Sequence, residues 1–216
     1  MAKEVKNAPE TKTPLTYPFS IMHAMARGLE VTAQAGLEDE YKATHDKLTG
    51  ALNREGLERY LESAETPRAM LVVDATNFKS INDRFSYQVG DQVINSTYEV
   101  LSESVRSSDV IARWGGDEFV IILNGNNDSQ QNGLRLERRS NTDHIKYIDE
   151  AKERIAASMK SFLDGHPQLK ALNLDLAVGG VVWPGNSSVE ALIAEAQKEM
   201  KAHKDSQRQN DRPPAA

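Results

Sequence analysis

The sequence predicts an α/β (α+β) fold with a ferredoxin-like β-α-β-β-α-β core, in which a central mixed sheet is flanked by helices. Three observations predict this fold. A continuous apolar run at residues 69–73 is typical of a buried strand. Two short apolar runs at 110–112 and 120–123, joined by Gly-Gly-Asp-Glu, indicate a β-hairpin. A partly alternating stretch at 172–183 predicts the last strand, and helical patterns separate the strands.

The helices are predicted from their apolar faces and their end signals. A capping asparagine opens a helix over 53–64. The stretch 76–90 is interpreted as a polar connector, and a helix with one apolar face follows over 91–104. A longer helix is predicted over 143–163, where a glycine and a proline end it. A serine-capped helix over 188–204 closes the series.

The chain divides into four parts. Residues 1–18 are polar and contain three prolines, which predicts a disordered leader. Residues 19–44 carry apolar residues at helical spacing, so we expect a helical segment that covers the core or pairs with a second copy, and a protein partner there is left open. Residues 45–208 form the main domain, with a predicted surface insertion at 125–142. Residues 209–216 predict a flexible tail.

The composition limits the classes of function. The chain has 216 residues, of which 39% are hydrophobic and 27% charged, and its net charge is −6. Because there is no basic excess, we expect no nucleic-acid polymer as a partner. The absence of cysteine excludes disulfides, thiolate metal sites and thiol catalysis. No apolar run reaches the roughly 18 residues of a membrane span, and the N-terminus lacks a signal peptide, so a cytoplasmic protein is expected.

The predicted hairpin carries two adjacent carboxylates, Asp117 and Glu118, at its tip. The predicted first strand ends at Asp74, and the ferredoxin-like order allows that strand end to lie beside the hairpin tip. Three carboxylates gathered there would suit a hard cation such as Mg²⁺. The alternatives are a solvated hairpin tip and, for Asp74, a strand-end cap or turn former.

Several separate motifs resemble those of the GGDEF family, the diguanylate cyclases. Residues 115–119 are Gly-Gly-Asp-Glu-Phe, the family signature. Residues 45–54 (His-Asp-Lys-Leu-Thr-Gly-Ala-Leu-Asn-Arg) resemble the family's opening motif, and residues 74–91 resemble its Asp-x-Asp-x-Phe-Lys-x-Ile-Asn-Asp-x-x-Gly-His-x-x-Gly-Asp motif. The resemblance covers most of 45–208 and implies that two GTP are condensed into cyclic di-GMP with release of pyrophosphate. Because each domain of the family binds one GTP, it also implies a homodimer.

The resemblance further implies a divalent metal site. In the family the metal is Mg²⁺ or Mn²⁺, with two ions per active site. The implied ligands are the carboxylates of Asp74, Asp117 and Glu118, together with the backbone of Ala75. Asp117 and Glu118 are also the implied catalytic residues, and which of them takes the proton of the attacking hydroxyl stays open.

The substrate contacts are carried over in the same way. Guanine presents donors at N1 and N2 and an acceptor at O6, and a carboxylate with an amide matches that pattern. Adenine would leave those polar groups unpaired and should be rejected. The implied contacts are Asn82 and Asp91 at the guanine edge, and Phe78, Lys79, Gly115, Gly116, Lys204 and Arg208 at the phosphates.

A second site is implied just before the hairpin. Arg106 and Asp109 have the spacing of the family's product-inhibition motif, Arg-x-x-Asp. Arginine suits bidentate contacts to phosphate and guanine, so cyclic di-GMP is an implied inhibitor. The alternative is a helix-to-strand turn with a local ion pair.

Five positions depart from the family pattern. Ser86 and Tyr87 stand where the family has Gly-His, and Thr76 replaces the usual second Asp. Lys201 replaces a common tyrosine, and Gln207 replaces the usual glycine. These departures leave open an alternative function, in which a weak or inactive GGDEF-like domain acts as a receptor for cyclic di-GMP or GTP.

Overall fold

The structure, a computed structural model, describes residues 37–62, 68–124, 141–183 and 187–210. The chain divides into two compact units between Tyr41 and Lys42. The predicted leader, residues 19–36 of the predicted helical segment and residues 125–140 of the predicted insertion lie outside the described residues. The short helix α1 occupies 37–44.

The second unit combines helices and strands. No helix in the described ranges is both long enough and apolar enough to cross a membrane. The elements are α2 (Arg54–Glu62), β1 (Arg68–Thr76), α3 (Phe78–Arg84), α4 (Tyr87–Ser104), β2 (Val110–Gly115), β3 (Glu118–Leu123), α5 (Asn141–Asp164), α6 (Pro167–Lys170), β4 (Asp175–Trp183) and α7 (Val189–Asn210).

The four strands form one sheet in the order β2-β3-β1-β4, which confirms the predicted ferredoxin-like core. The predicted mixture of strand directions is corrected, because every pair of neighbouring strands in this sheet is antiparallel. The reason lies in the crossovers. β1 and β2 are joined through helices, but β3 lies between them, and β1 lies between β3 and β4. Strands that run in the same direction are therefore never adjacent.

The apolar run of β1 is continuous because helices cover both faces of the sheet. Successive strand residues point to opposite faces. Leu71 and Val73 belong to a core formed with α4 and α5. Met70 and Val72 belong to a second core formed with α2 and α7. Burying each such side chain contributes roughly 1.5–3 kcal/mol, so β1 is a central stabilising element.

The closest helix-to-sheet contact joins α7 to β4. A Cβ atom at Gly179 would overlap the carbonyl oxygen of Ala196, so only glycine allows the helix to lie this close to the strand. The contact fixes α7 against the face of the sheet that carries Met70 and Val72. By the alternation of strand residues, the paired carboxylates Asp74 and Glu118 lie on the same face.

The predicted connector at 76–90 is wrong, because it forms α3 and the first turn of α4. α3 begins after Asn77, whose backbone has a φ of 59°, and it buries Ile81 in the core. α4 begins at Tyr87 because the Ser86 hydroxyl accepts a hydrogen bond from the Val89 backbone N–H at 3.4 Å. Four helical residues therefore precede the predicted start.

Of three further boundaries, one lies as predicted and two shift. α2 opens as predicted, because the Asn53 side chain accepts from the Gly56 N–H at 2.9 Å. β4 begins at Asp175 rather than at 172, because α6 and the positive φ of Asn173 (53°) occupy the preceding residues. α7, capped by Ser188, extends to Asn210 and so includes the first two residues of the predicted tail.

Candidate functional site

The hairpin tip consists of Gly116 and Asp117, between the paired residues Gly115 and Glu118. Gly116 has a φ of 52°, which favours glycine. Gly115 has no such backbone requirement, and a Cβ on either glycine would meet nothing within 4 Å. The chain itself therefore gives no packing reason for glycine at 115. The open space around both residues lets a ligand approach the backbone closely.

The register of the sheet brings two of the predicted carboxylates together. Asp74 of β1 is the direct partner of Glu118 of β3. Directly paired residues point to the same face of a sheet, with their Cα atoms about 4.5–5.5 Å apart. Asp117 is the next residue in the turn, and all three side chains are half-buried. Two elements distant in sequence thus present acidic groups at one end of the sheet.

These acidic groups have the donor chemistry of a hard-cation site but do not form a closed cage. In the described part of the chain, no three Asp, Glu or His side chains converge as metal ligands. Oxygen donors from Asp74, Asp117 and Glu118 suit Mg²⁺ or Mn²⁺ by type.

A contact from α7 reaches the same place. The Gln197 side-chain amide donates a hydrogen bond to Glu118 Oε1 at 3.4 Å. The contact orients the carboxylate from the helix that also contains Lys204 and Arg208. Sequence reasoning missed Gln197, because nothing in the sequence links residues 79 positions apart.

The predicted guanine-binding residues lie on α3 and α4. A Cβ on Gly90 would overlap Asn82 Oδ1 and lie 3.2 Å from Phe78 Cζ, so glycine allows the two helices to meet at Asn82. Asn82 Oδ1 is buried and has no hydrogen-bond partner among the described residues. Asp91 is exposed beside Gly90, and Lys79 is exposed on α3. The amide therefore offers an unmet acceptor next to an accessible carboxylate.

A buried arginine holds the hairpin tip to the start of the domain. Arg113 donates two hydrogen bonds from Nη1 to Asp46, at 3.0 and 3.1 Å. Its Nε and Nη2 donate to the Gly116 carbonyl at 3.0 and 2.7 Å. The side chains of Arg113 and Asp46 are only 15% and 22% exposed. One guanidinium thus fixes the turn backbone and the Asp46 loop together.

Asp46 is held in its charged form. Burial raises the pKa of its carboxyl, but hydrogen bonds from Thr49 and the Arg113 guanidinium outweigh burial and lower the pKa below its ordinary value of 3.8. Thr49 contributes both its backbone N–H, at 3.0 Å, and its hydroxyl, at 2.8 Å. The sequence motif contained Asp46, but its link to Arg113 was not predicted.

The predicted product-binding residues form a compact turn between α4 and β2. The Arg106 backbone N–H donates to Asp109 Oδ2, and the Asp109 N–H donates to the Arg106 carbonyl, both at 2.9 Å. Asp109 Oδ1 accepts from the Asn124 N–H at 2.9 Å. The backbone therefore fits the alternative interpretation of Arg106 and Asp109 as a helix-to-strand turn. The role of Arg106 and Asp109 in binding a product stays a prediction.

Tyr147 of α5 covers this turn. Its hydroxyl lies 3.0 and 3.3 Å from the two carboxylate oxygens of Asp109, and its ring lies 4.3 Å from the Arg106 guanidinium carbon. Burial, and then the charge of Asp109, raise the pKa of Tyr147 to about 12. Nearby, Arg154 donates from Nε to the Ser104 carbonyl at 2.8 Å, while its Nη2 is buried without a hydrogen-bond partner among the described residues.

The departures from the family pattern have local structural explanations at three positions. Ser86 caps α4. The Tyr87 side chain is 81% exposed and so does not fill space inside the domain. The Thr76 hydroxyl lies 3.3 and 3.2 Å from the backbone carbonyls of Asn173 and Asp175, at the end of β1. None of these positions disturbs the pairing of Asp74 with Glu118.

The fold and site define an α+β domain with an acidic hairpin tip that pairs with the end of β1. The family model described as "Diguanylate cyclase, GGDEF domain" matches residues 43–210. The chain belongs to the GGDEF family.

Curated relatives agree with this assignment. The chain is 32% identical over 137 residues to diguanylate cyclase DosC of Escherichia coli K12, covering 59% of this chain and 30% of DosC. It is 34% identical over 103 residues to diguanylate cyclase DgcM of the same strain, covering 44% of this chain and 25% of DgcM. The chain thus spans less than a third of either relative's length.

The fold is also similar to that of a solved structure, the coiled coil and GGDEF domain of DgcB from Caulobacter crescentus in complex with c-di-GMP. The TM-score is 0.65 with 21% sequence identity, covering 87% of this chain and 94% of that chain. At this identity, the similarity supports the fold alone.

Proposed function

We propose that this domain is a diguanylate cyclase, which condenses two GTP into cyclic di-GMP and releases pyrophosphate. The observation that carries the proposal is the direct pairing of Asp74 with Glu118 at the acidic hairpin tip. Family membership supports the reaction class. The open space at Gly115 and Gly116 supports close approach of a phosphate to the backbone.

The proposed metal ligands are Asp74, Asp117, Glu118 and the backbone carbonyl of Ala75. Mg²⁺ or Mn²⁺ bound there, with two ions per site, would neutralise triphosphate charge and lower the pKa of the attacking hydroxyl. Glu118 is oriented for this role by the hydrogen bond from Gln197. Asp117 lies in the turn whose Gly116 carbonyl accepts hydrogen bonds from Arg113, which supports its inclusion among the proposed oxygen donors.

In each half-reaction, the 3′-hydroxyl oxygen of one GTP forms a bond to the α-phosphorus of the other. The bond from that phosphorus to the bridging oxygen breaks, and pyrophosphate leaves. The hydroxyl proton passes to Asp117 or Glu118, or to water. Two half-reactions close the ring, so two domains must face each other, and residues 19–44 are the proposed means of pairing two copies.

Specificity for guanine is proposed to come from Asn82 and Asp91. The unmet acceptor at Asn82 Oδ1 and the exposed Asp91 carboxylate can accept from the N1 and N2 donors of guanine. ATP would leave these acceptors unpaired and should not be a substrate. Phe78, Lys79, Lys204 and Arg208 complete the proposed substrate contacts.

Inhibition by the product is also proposed, through Arg106 and Asp109. A guanidinium and a carboxylate in one turn suit the acceptors and donors of a guanine edge and the charge of a phosphate. The nearby Arg154 supports this site, because its buried Nη2 would gain a partner from an anionic ligand.

The test is incubation of the purified chain with GTP and Mg²⁺, with the nucleotides separated by chromatography. An Asp117→Ala, Glu118→Ala double variant serves as the control. We expect cyclic di-GMP and pyrophosphate from the wild type, none from the double variant, and no product from ATP. If the wild type forms no product even at high protein concentration, the cyclase proposal fails, and binding of cyclic di-GMP or GTP alone becomes the function to test.

A further inference from the structure

Tyr147 occupies the hydrogen-bonding and stacking surfaces that a ligand of the Arg106–Asp109 turn would use. Its hydroxyl is 3.0 Å from Asp109 Oδ2 and 3.3 Å from Oδ1. Its ring lies under the Arg106 guanidinium, 4.3 Å from the central carbon. Tyr147 is only 4% exposed, so these contacts form inside the domain rather than at a solvated edge.

Within the described ranges, three groups donate hydrogen bonds to the Asp109 carboxylate. They are the backbone N–H groups of Arg106 and Asn124, both at 2.9 Å, and the Tyr147 hydroxyl. One backbone donor lies in the turn and the other follows the end of β3, so both remain as long as the fold is kept. The tyrosine is the only one of these three donors that a rotation or small shift of a side chain can withdraw. A guanine edge that donates to Asp109 must therefore compete with Tyr147.

Arg106 is subject to the same competition. A guanidinium stacked on an aromatic ring has one face covered, and the cation–π contact is worth more where water is excluded. A guanine base that stacked on that face would have to replace the tyrosine ring. Both groups that the turn could offer to a nucleotide are thus engaged by a single side chain of α5.

We propose that Tyr147 is an internal latch, which occupies the Arg106–Asp109 site in the free domain and sets its affinity for the guanine-containing product. This inference rests on the proposed product site. It adds that the product binds only after displacing Tyr147 from Asp109, so inhibition begins at a higher product concentration than the Arg-x-x-Asp pair alone would give.

The test is calorimetric titration of cyclic di-GMP into the full chain without GTP, for the wild type, Tyr147→Phe and Arg106→Ala. Tyr147→Phe removes the competing hydroxyl but keeps the ring, and both backbone donors to Asp109 remain. We expect about tenfold tighter binding, the factor that one hydrogen bond to a charged group is worth. Thermal unfolding of each variant checks that the fold is retained.

The matched control is Tyr60→Phe. The Tyr60 hydroxyl accepts from the Asn124 side chain at 2.7 Å, so it belongs to the same network but has no hydrogen bond to Asp109. We expect this variant to bind cyclic di-GMP with the wild-type affinity. A gain equal to that of Tyr147→Phe would show that loosening the network, rather than freeing Asp109, raises the affinity, and would overturn the latch.

The two proposals fail in different ways. If wild type and Tyr147→Phe bind equally and Arg106→Ala binds much more weakly, the product site stands and the latch is overturned. If Arg106→Ala binds as the wild type does, the Arg106–Asp109 turn is not a product site and both proposals fall. A Tyr147→Phe, Arg106→Ala double variant completes the comparison. If Tyr147→Phe binds cyclic di-GMP more tightly than the wild type, and the double variant loses that gain, both proposals are supported.

Discussion

The domain contains two arginine–aspartate arrangements that have similar composition but different construction. Arg113 and Asp46, 67 residues apart, form an ion pair in which Arg113 Nη1 contacts both carboxylate oxygens, and the pair joins β2 to the Asp46 loop. Arg106 and Asp109 are three residues apart and share one turn, in which the carboxylate accepts backbone N–H groups and the guanidinium stacks on Tyr147. The first arrangement is a cross-link, whereas the second is a turn covered by another side chain.

The difference shows which groups are available to a ligand. Arg113 is committed to Asp46 and to the Gly116 carbonyl, so it serves the hairpin tip by fixing its position. In the turn, Tyr147 contacts Arg106 and Asp109 through its side chain alone, and under our proposal a ligand would replace these contacts without breaking a backbone hydrogen bond. Residue identity alone would assign the same role to both arginine–aspartate pairs. Their hydrogen-bond partners show that the two roles differ.

Loss of the cross-link should have the largest effect. Arg113→Ala leaves Asp46 without its ion-pair partner and releases the Gly116 carbonyl. We expect the free energy of unfolding to fall by about 2 kcal/mol and the initial rate of cyclic di-GMP formation to fall about tenfold or more, because the tip carboxylates lose their fixed position. Urea unfolding and initial-rate measurements check these values.

Arg54→Ala is the matched control for that variant. Arg54 stacks on Trp114 with its guanidinium carbon 4.4 Å from the ring centroid, and it pairs with Glu58, but its side chain is 56% exposed. Exposed pairs contribute roughly 0–1 kcal/mol, so little stability should be lost. Equal losses in Arg54→Ala and Arg113→Ala would contradict the cross-link.

The turn should respond to alkaline pH through Tyr147. The folded pKa is raised to about 12 from 10.0, so the stability that this tyrosine contributes is complete below pH 10 and is lost as pH rises toward 12. We expect wild type to lose about 2 kcal/mol more than Tyr147→Phe over this range. Urea unfolding of both proteins at matched pH removes the contribution of the other titrating groups. If both proteins lose the same free energy of unfolding over this pH range, ionisation of Tyr147 does not contribute to the loss.

A smaller effect is expected at the cross-link from Thr49→Val, which removes one hydroxyl donor to Asp46. The cost should be about 1 kcal/mol at neutral pH. Because the folded pKa of Asp46 is lowered below 3.8, its contribution is present above that pH and is lost as pH falls below it. The difference in free energy of unfolding between Thr49→Val and the wild type should therefore be smaller in acid. Urea unfolding at pH 7 and pH 3 measures it. If the stability difference between Thr49→Val and the wild type is the same at pH 3 and pH 7, the effect does not come from the charge of Asp46.

The sheet was predictable because its signals are local. The apolar run of β1 and the Gly-Gly-Asp-Glu turn each specify a structure within a few residues, and the ferredoxin-like order then predicted Asp74 beside the hairpin. α3 was not predicted. It follows Asn77 in a left-handed conformation and depends on burial of Ile81, which is a tertiary effect. Gly90 looked like a helix boundary but lies inside α4, where it makes room for Asn82.

The supports of the site were the least predictable part. Gln197 reaches Glu118 from α7, and Arg113 reaches Asp46, across 79 and 67 residues respectively. Tyr147 belongs to the apolar stripe of α5 by spacing, so its hydroxyl contact with Asp109 has no sequence signal. The motifs supply the residues that we propose to contact a ligand, whereas the residues that hold them in place emerge only from packing.

The most direct test of the central claim is calorimetric binding of a non-hydrolysable GTP analogue with and without Mg²⁺. The claim is that pairing of Asp74 with Glu118 builds a metal-dependent nucleotide site. For wild type we predict that Mg²⁺ tightens binding about tenfold or more, and that Asp74→Asn loses most of this gain while keeping its fold. Equal affinity with and without Mg²⁺ in wild type, or a full Mg²⁺ gain in Asp74→Asn, would contradict the claim.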